Sequence, residues 1–457
     1  MKKHKISNLV IAILLSLYSY SSATTYNITP GQSIQTAINS ATNGDIIVVN
    51  PGTYIENIDL DGKAIVLRST EPSNPAIVSS TIIDGNQVDS VITCESYETS
   101  DTVISGFLII NGRASYGGGM YNEESSPTVI NCTFSANTVD SYGGGMYNYS
   151  FSSPTVINCN FNANATDSFG GGMANNNGSS PTVTNCNFVA NTAGNYGGGM
   201  FNKSSSSPVV TNCKFNVNTA GTYGGGMYNT SASPIVTNCT FSNNESNYNG
   251  GAIFNDTSSS LTVTNCTFSL NTADYDGGAI YNKSSLTLNN CIIWDNTASL
   301  AGDQVFNFPY YVSVISYCDI QNSGANNIWD PNTGQDNGGN IDRAPIFLSA
   351  NNFRLQPSSP CIDAGNNFLV DYDRSDIDND TVTIEWIPFD LAGNNRFSNN
   401  LSTADTGISA HPKIAVTDIG AYEYQGDGEI NGDLDIDGDV DFDDFAIFAD
   451  NWLIGAN

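Results

Sequence analysis

The chain has 457 residues, 13% of them charged, and a formal net charge of −31 from 45 acids against 14 bases. Bases this scarce cannot neutralise phosphate, which excludes a nucleic-acid partner, and an anionic glycan would be repelled unless a divalent cation bridged it. Asn, Ser, Thr and Gly carry the polarity, a composition that suits turns and strands better than a helical bundle.

In chain order, the first element is a leader. Lys2, Lys3 and Lys5 precede a short apolar run, Leu9 to Leu17, and Ser21 and Ala23 supply small residues at a cleavage position. This is the pattern of a secretory signal peptide over 1–23. The run is too short for a membrane anchor, and no later segment is long and apolar enough to cross a bilayer. Next, Ile34, Ala37, Ile38 and Ala41 mark one face of a short helix that Asn43-Gly44 can end. Within 24–43 it is placed to cap an open strand edge. "IIVV" and "AIVL" then read as strands, and "GTYIE" has the spacing G-x-Y-x-E.

From residue 117 the chain repeats. GGGMYN, or a variant of it, begins at 117, 143, 170, 197, 224, 250 and 277, in steps of 26 or 27 residues. Each copy is followed by a relative of "NCTFSAN". That second motif alternates, with Cys132, Phe134 and Ala136 predicted on one face and Thr133 and Ser135 on the other. A unit of two or three short strands cannot bury its own face and must stack on its neighbours. The expected fold is all-β: a right-handed parallel β-helix solenoid, regular over 117–300, with closing coils over 301–425. Cys132, Cys159, Cys186 and their successors then stack one per coil. Parallel Cβ directions favour buried thiols over disulfides. Three Asn sets, at 122/148/175, 131/158/185 and 137/164/191, are expected to turn corners or to bond amide to amide. A sugar-binding role is the alternative for them.

The "GGAI/GGGM" and "FxxN" pairs resemble the repeats of polymorphic outer-membrane proteins and, more widely, the pectate-lyase-type β-helix superfamily. That resemblance implies a secreted or cell-surface protein with a binding or adhesive role toward polysaccharide or the cell envelope. The alternative is a polysaccharide lyase or glycoside hydrolase. "GTYIE" is similar to a pectinesterase-like motif. The Gly-His-Gly and Arg-Ile-Lys signatures of polygalacturonases, and the Gln-Asp and Asp-Phe motifs of pectinesterases, are missing. No catalytic pair is assigned. Asp274 with Asp276, or acids within 363–390, are candidates. The only bases within 117–300 are Lys203, Lys214 and Lys283, and the leader aside the only His is His411.

Two acidic stretches are candidate calcium sites. "DYDRSDIDND", 371–380, offers several carboxylates. "DLDIDGDVDFDD", 433–444, places Asp433, Asp435, Asp437, Asp439, Asp441 and Asp444 at loop positions 1, 3, 5, 7, 9 and 12, with Gly438 at the sharp turn. This is the ligand spacing of a Ca2+ loop. Phe445, Phe448, Ala449 and Trp452 follow on one helical face. The segment 426–457 resembles one half of a type I dockerin, which implies a cohesin-like or cell-surface anchoring partner.

Overall fold

The computed structural model of the chain describes residues 23–325, 327–374, 376–378, 382–398, 404–409 and 415–425. Most of the signal peptide, His411 and the whole 433–444 loop lie outside the described residues.

Each coil adds one short strand to each of four parallel sheets. In one coil these are Thr155–Ile157, Asn160–Asn162, Ala165–Thr166 and Met173–Asn175. Stacked, they build sheets of 13, 11, 8 and 10 strands, the first to fourth sheets in coil order. Pairing is in register: Val156 with Val183, Phe161 with Phe188, Met173 with Met200. The all-β parallel solenoid is as expected. The unit has four strands rather than two or three, because a two-residue strand such as Ala165–Thr166 is too short to show alternation.

The interior is a set of identical ladders. Phe134, Phe161, Phe188, Phe215, Phe241 and Phe268 stack with centroids 4.6 to 4.9 Å apart and nearly parallel planes. All ten cysteines are free and buried. Thiols along the ladder also accept the backbone N–H of the preceding coil's Cys, as in Cys159 N to Cys186 Sγ at 3.4 Å. Cys therefore fills the core and satisfies a donor at a corner. Burial pushes the Cys132 and Cys159 thiols up, so they stay protonated and unreactive.

Two of the three Asn sets form amide ladders. Asn164 Nδ2 donates to Asn191 Oδ1 at 3.0 Å and to Phe134 O at 2.9 Å, and Asn148 Nδ2 donates to Asn175 Oδ1 at 2.8 Å. These groups are fully buried yet hydrogen-bonded, as buried polar groups must be. The third set behaves differently. Asn131, Asn158 and Asn185 hold left-handed φ of 53° to 54° with their side chains at the surface.

A further correction concerns Ala136. It faces out, at φ 53°, and Asn137 turns inward in its place. The left-handed residue at this corner is thus the one before the Asn. In successive coils it is Ala163, Ala190, Val217, Asn243, Leu270 and Asp295. Val217, β-branched at φ 58°, is the most strained. Val217→Asn, which copies Asn243, should raise stability by about 1 kcal/mol. An unchanged or lower denaturant midpoint would contradict this.

The glycine triplet is a corner. Gly143 has φ 69°, and a Cβ on Gly144 would meet Gly171 O at 2.5 Å in the next coil. Met146 is buried in the core, as expected.

At the N-terminus, Thr25–Ile28 is the edge strand of the first sheet, and helix α1, Ile34–Ser40, buries Ile34, Ala37 and Ile38. The helix stops at Ala41, short of Asn43-Gly44, because the Ala41 N–H already closes the last turn onto Ala37 O. The G-x-Y-x-E spacing has a structural use. Tyr54 is buried with its hydroxyl on Asn50 O at 2.8 Å. Glu56 accepts from Ile34 N at 2.9 Å and Gln35 N at 3.1 Å, capping α1.

Candidate functional site

The described parts of the closing segment, within 343–425, fold back over part of the second sheet. Each strand of that sheet presents two outward residues, so coils align them in columns. In the first column Thr133, Asn160 and Asn187 are half-exposed and Lys214 is exposed, whereas Thr240, Thr267, Ile292 and Asp319 are buried. In the second column Ser135, Asn162, Val189 and Asn216 are half-exposed, and Ser242 and Ser269 are buried. The change falls between the coils of Lys214 and Thr240.

Specific bonds hold the segment there. Ala421 N donates to Thr267 Oγ1 at 3.1 Å, Gly420 N to Asn290 O at 2.8 Å, and Asn238 Nδ2 to Phe389 O at 2.7 Å. Arg396, fully buried, reaches Asn238 Oδ1 at 2.7 Å and pairs with Glu423 at 3.5 Å. Ile292 packs with Leu355, Cys361, Ile362 and Ile419.

At the step lies a cleft of about 430 Å³. Its floor is Lys214, Asn216, Thr240 and Ser242, its corner Val217 and Asn243, and its wall Asn351, Phe353 and Tyr422. No acid lines it. Lys214 projects from the strand Lys214–Asn216, between Asn187 and Thr240 of the adjacent coils in its column. Its surface is open to the cleft, but crowding by the walls desolvates the ammonium and lowers its pKa, and the charge of Arg354 lowers it further. Arg354 projects from the hairpin strand Asn352–Leu355. Among the described residues, neither cation makes an ion pair. By contrast Lys283 pairs with Asp256 at 3.4 Å. Burial pushes the Tyr422 phenol up to about 12, so it remains a neutral donor at physiological pH. Lys214 is thus an unpaired charge at a cleft with no acid among its described lining residues, on a chain of strongly negative charge. This modifies the expectation that an anionic glycan requires a bridging cation: Lys214 lines the cleft and Arg354 lies near it.

The sequence-predicted acids are placed elsewhere. Asp274 is exposed and Asp276 half-buried at a corner of the third sheet, where Asp276 N donates to Asn249 Oδ1 at 3.0 Å; neither lines the cleft. Within 363–390, Asp363, Asp373 and Asp390 are buried, and Asp390 accepts the N–H groups of Ala392, Asn394 and Glu423 as a fold organiser. From the 371–380 stretch, Asp373 and Asp378 meet Glu385 with ligand oxygens within 4.8 Å of one another. Three hard carboxylate donors fit calcium better than a softer metal.

A feature not read from the repeat is an aromatic stack outside the fourth sheet. Phe201, Tyr228, Phe254, Tyr281 and Phe306 follow the Met and Ile positions, and interleave with Tyr142, Phe169, Tyr196 and Tyr223. Phe201 and Tyr228 lie 5.5 Å apart at 6°, and Phe254 and Tyr281 4.7 Å at 7°. The ring faces are occupied by other rings, so the stack stabilises the wall and leaves no face for a sugar.

The model of a family described as a right handed beta helix region matches residues 17–241 and 191–308. No curated protein matches the chain. Among solved structures, the crystal structure of pectate lyase Pel9A is similar at TM-score 0.50 and 16% identity, covering 77% of this chain and 94% of that one. The structure of the PL6 family alginate lyase AlyGC gives 0.34 and 12%, covering 74% and 56%. The first likeness shows a common fold.

Proposed function

Since the chain belongs to the right-handed β-helix family, we propose that it is an extracellular protein that binds an acidic polysaccharide at the Lys214 cleft. One observation carries this reading. Among the described residues, Lys214 lines the cleft without an acidic partner, Arg354 lies close enough to act on its charge, and no carboxylate lines the cleft, in a chain of 45 acids and 14 bases. Unpaired charge beside a concave surface fits an anionic ligand. Polar side chains of the open strip supply further hydrogen bonds. The similar Pel9A is a pectate lyase, which makes pectate the first probe. The leader over 1–23 supports export, and no helix among the described residues is long and apolar enough to cross a membrane. Retention should be seen on immobilised pectate and lost on its methyl ester, which removes the carboxylates alone. Equal retention on both would refute a charge-directed site.

A second reading is favoured by the depressed pKa of Lys214. A neutral amine at this position can take the proton α to a uronate carboxylate while Arg354 stabilises the resulting negative charge. The C–O bond β to that carbon breaks, a C=C bond forms, and the departing oxygen takes a proton from water. This is polysaccharide lyase chemistry.

Calcium is proposed as a structural cofactor. The loop of Asp433, Asp435, Asp437, Asp439, Asp441 and Asp444 would bind it within a dockerin-like 426–457 module directed at a cohesin-like or cell-surface partner. Asp373, Asp378 and Glu385 would hold a second ion in the closing segment. Calorimetry should resolve binding at about 10⁻⁴ to 10⁻³ M or tighter. Asp433→Ala should remove one site and Asp378→Asn the other. A flat titration of the full chain would exclude both.

A further inference from the structure

We propose that the Lys214 cleft receives the end of an acidic polysaccharide chain rather than its middle. This rests on the acidic-polysaccharide reading and sharpens it. The open strip of the second sheet runs along the solenoid axis through Thr133, Asn160 and Asn187 to Lys214, and there it stops. Beyond Lys214 the first column is buried, the second is buried at Ser242 and Ser269, and Phe353 and Tyr422 stand across the path. The step also wraps one flank. Asn185 at that corner is exposed, but its equivalents one and two coils on, Asn212 and Asn238, are 7% and 1% exposed, and Asn238 is held by Phe389 and Arg396.

Two exits remain. One leads back along the strip. The other crosses the corner at Val217 and Asn243, at right angles to it. A pyranose chain is built of rigid rings with few rotatable bonds between them, so a right-angle turn within one residue strains its glycosidic torsions. An occupant lying on the strip therefore ends at the wall, with its last uronate carboxylate between Lys214 and Arg354. The preceding sugars lie over Asn187 and Asn160, whose outward amides are already aligned by an Asn187 Nδ2 to Asn160 Oδ1 bond of 2.8 Å. The coil spacing of about 4.8 Å is close to the length of one sugar residue, so each coil can meet one residue.

The test is calorimetry of the full chain with pectate fractions of increasing length, at matched concentrations of chain ends. The expected result is one protein bound per chain at every length, with affinity levelling off once the oligomer spans the strip. Asn187→Trp, which obstructs the strip beside the cleft, should weaken binding at least tenfold. If turnover occurs, products should from the start be short and of one size. A bound count that grows with chain length, unaltered affinity in Asn187→Trp, or a broad early product spread would overturn the chain-end proposal while leaving the acidic-polysaccharide reading in place. Loss of any difference between the native chain and Lys214→Asn, or no binding by any fraction, would overturn both. Lys214→Asn is suited to this because adjacent coils carry Asn187 and Thr240 in the same column, so the fold tolerates it.

Discussion

Lys214→Asn is expected to lower affinity for pectate about ten- to a hundredfold, the loss of one charge-assisted contact of roughly 1.5–3 kcal/mol. The pH dependence distinguishes the two functional readings. Lys214 has a pKa below the ordinary lysine range, because its ammonium is desolvated and lies near Arg354. A binding site needs the protonated amine. Affinity should then be level at pH values where the pectate carboxylates are ionised and fall as pH rises through the lowered pKa of Lys214. A lyase needs the neutral amine. Its kcat/KM should rise through the same pKa and then level off. Lys214→Asn removes either slope. A pH-independent affinity without turnover, identical in the native chain and the variant, would eliminate Lys214 from function.

Phe188→Ala should be the most damaging single truncation within the repeats. Phe188 is fully buried and stacks on Phe161 at 4.8 Å and Phe215 at 4.6 Å. Removing the ring opens a cavity mid-ladder, at a cost of about 3–5 kcal/mol, and breaks two stacks worth about 0.5–1.5 kcal/mol each. Coils above and below are identical in plan, and each contacts only its neighbours, so nothing distant compensates. Urea denaturation should show the midpoint fall well below that of Tyr196→Ala in the outer stack, where the ring is already half-exposed. A loss under about 1 kcal/mol at Phe188 would mean that the ladder relaxes to close the cavity, contrary to close packing.

Much of the body was legible in the sequence because a solenoid repeats its contacts. Where Cys132, Phe134 and Met146 recur at one period, parallel pairing in register brings each onto its own copy, and the inner ladders follow. Ala136 was misplaced for a local reason. Simple alternation assigns it inward, but the chain turns left-handed there and swings Asn137 in. The G-x-Y-x-E spacing suggested chemistry, whereas Glu56 caps α1, a use that appears only when the first coil closes on the helix.

The cleft belongs to the other class. "NCKFNVN" showed one of three bases within 117–300, and nothing more. Arg354, Phe353 and Tyr422 join Lys214 only because the closing segment crosses coils and stops at one of them. Its position is decided by aperiodic contacts, among them Arg396 on Asn238 and Ala421 on Thr267, for which one period of sequence holds no template. The sequence by itself determined the solenoid, since periodic residues need only their nearest copies. The tertiary structure alone decided where the solenoid is left open, since that depends on how a non-repeating segment fits a repeating surface.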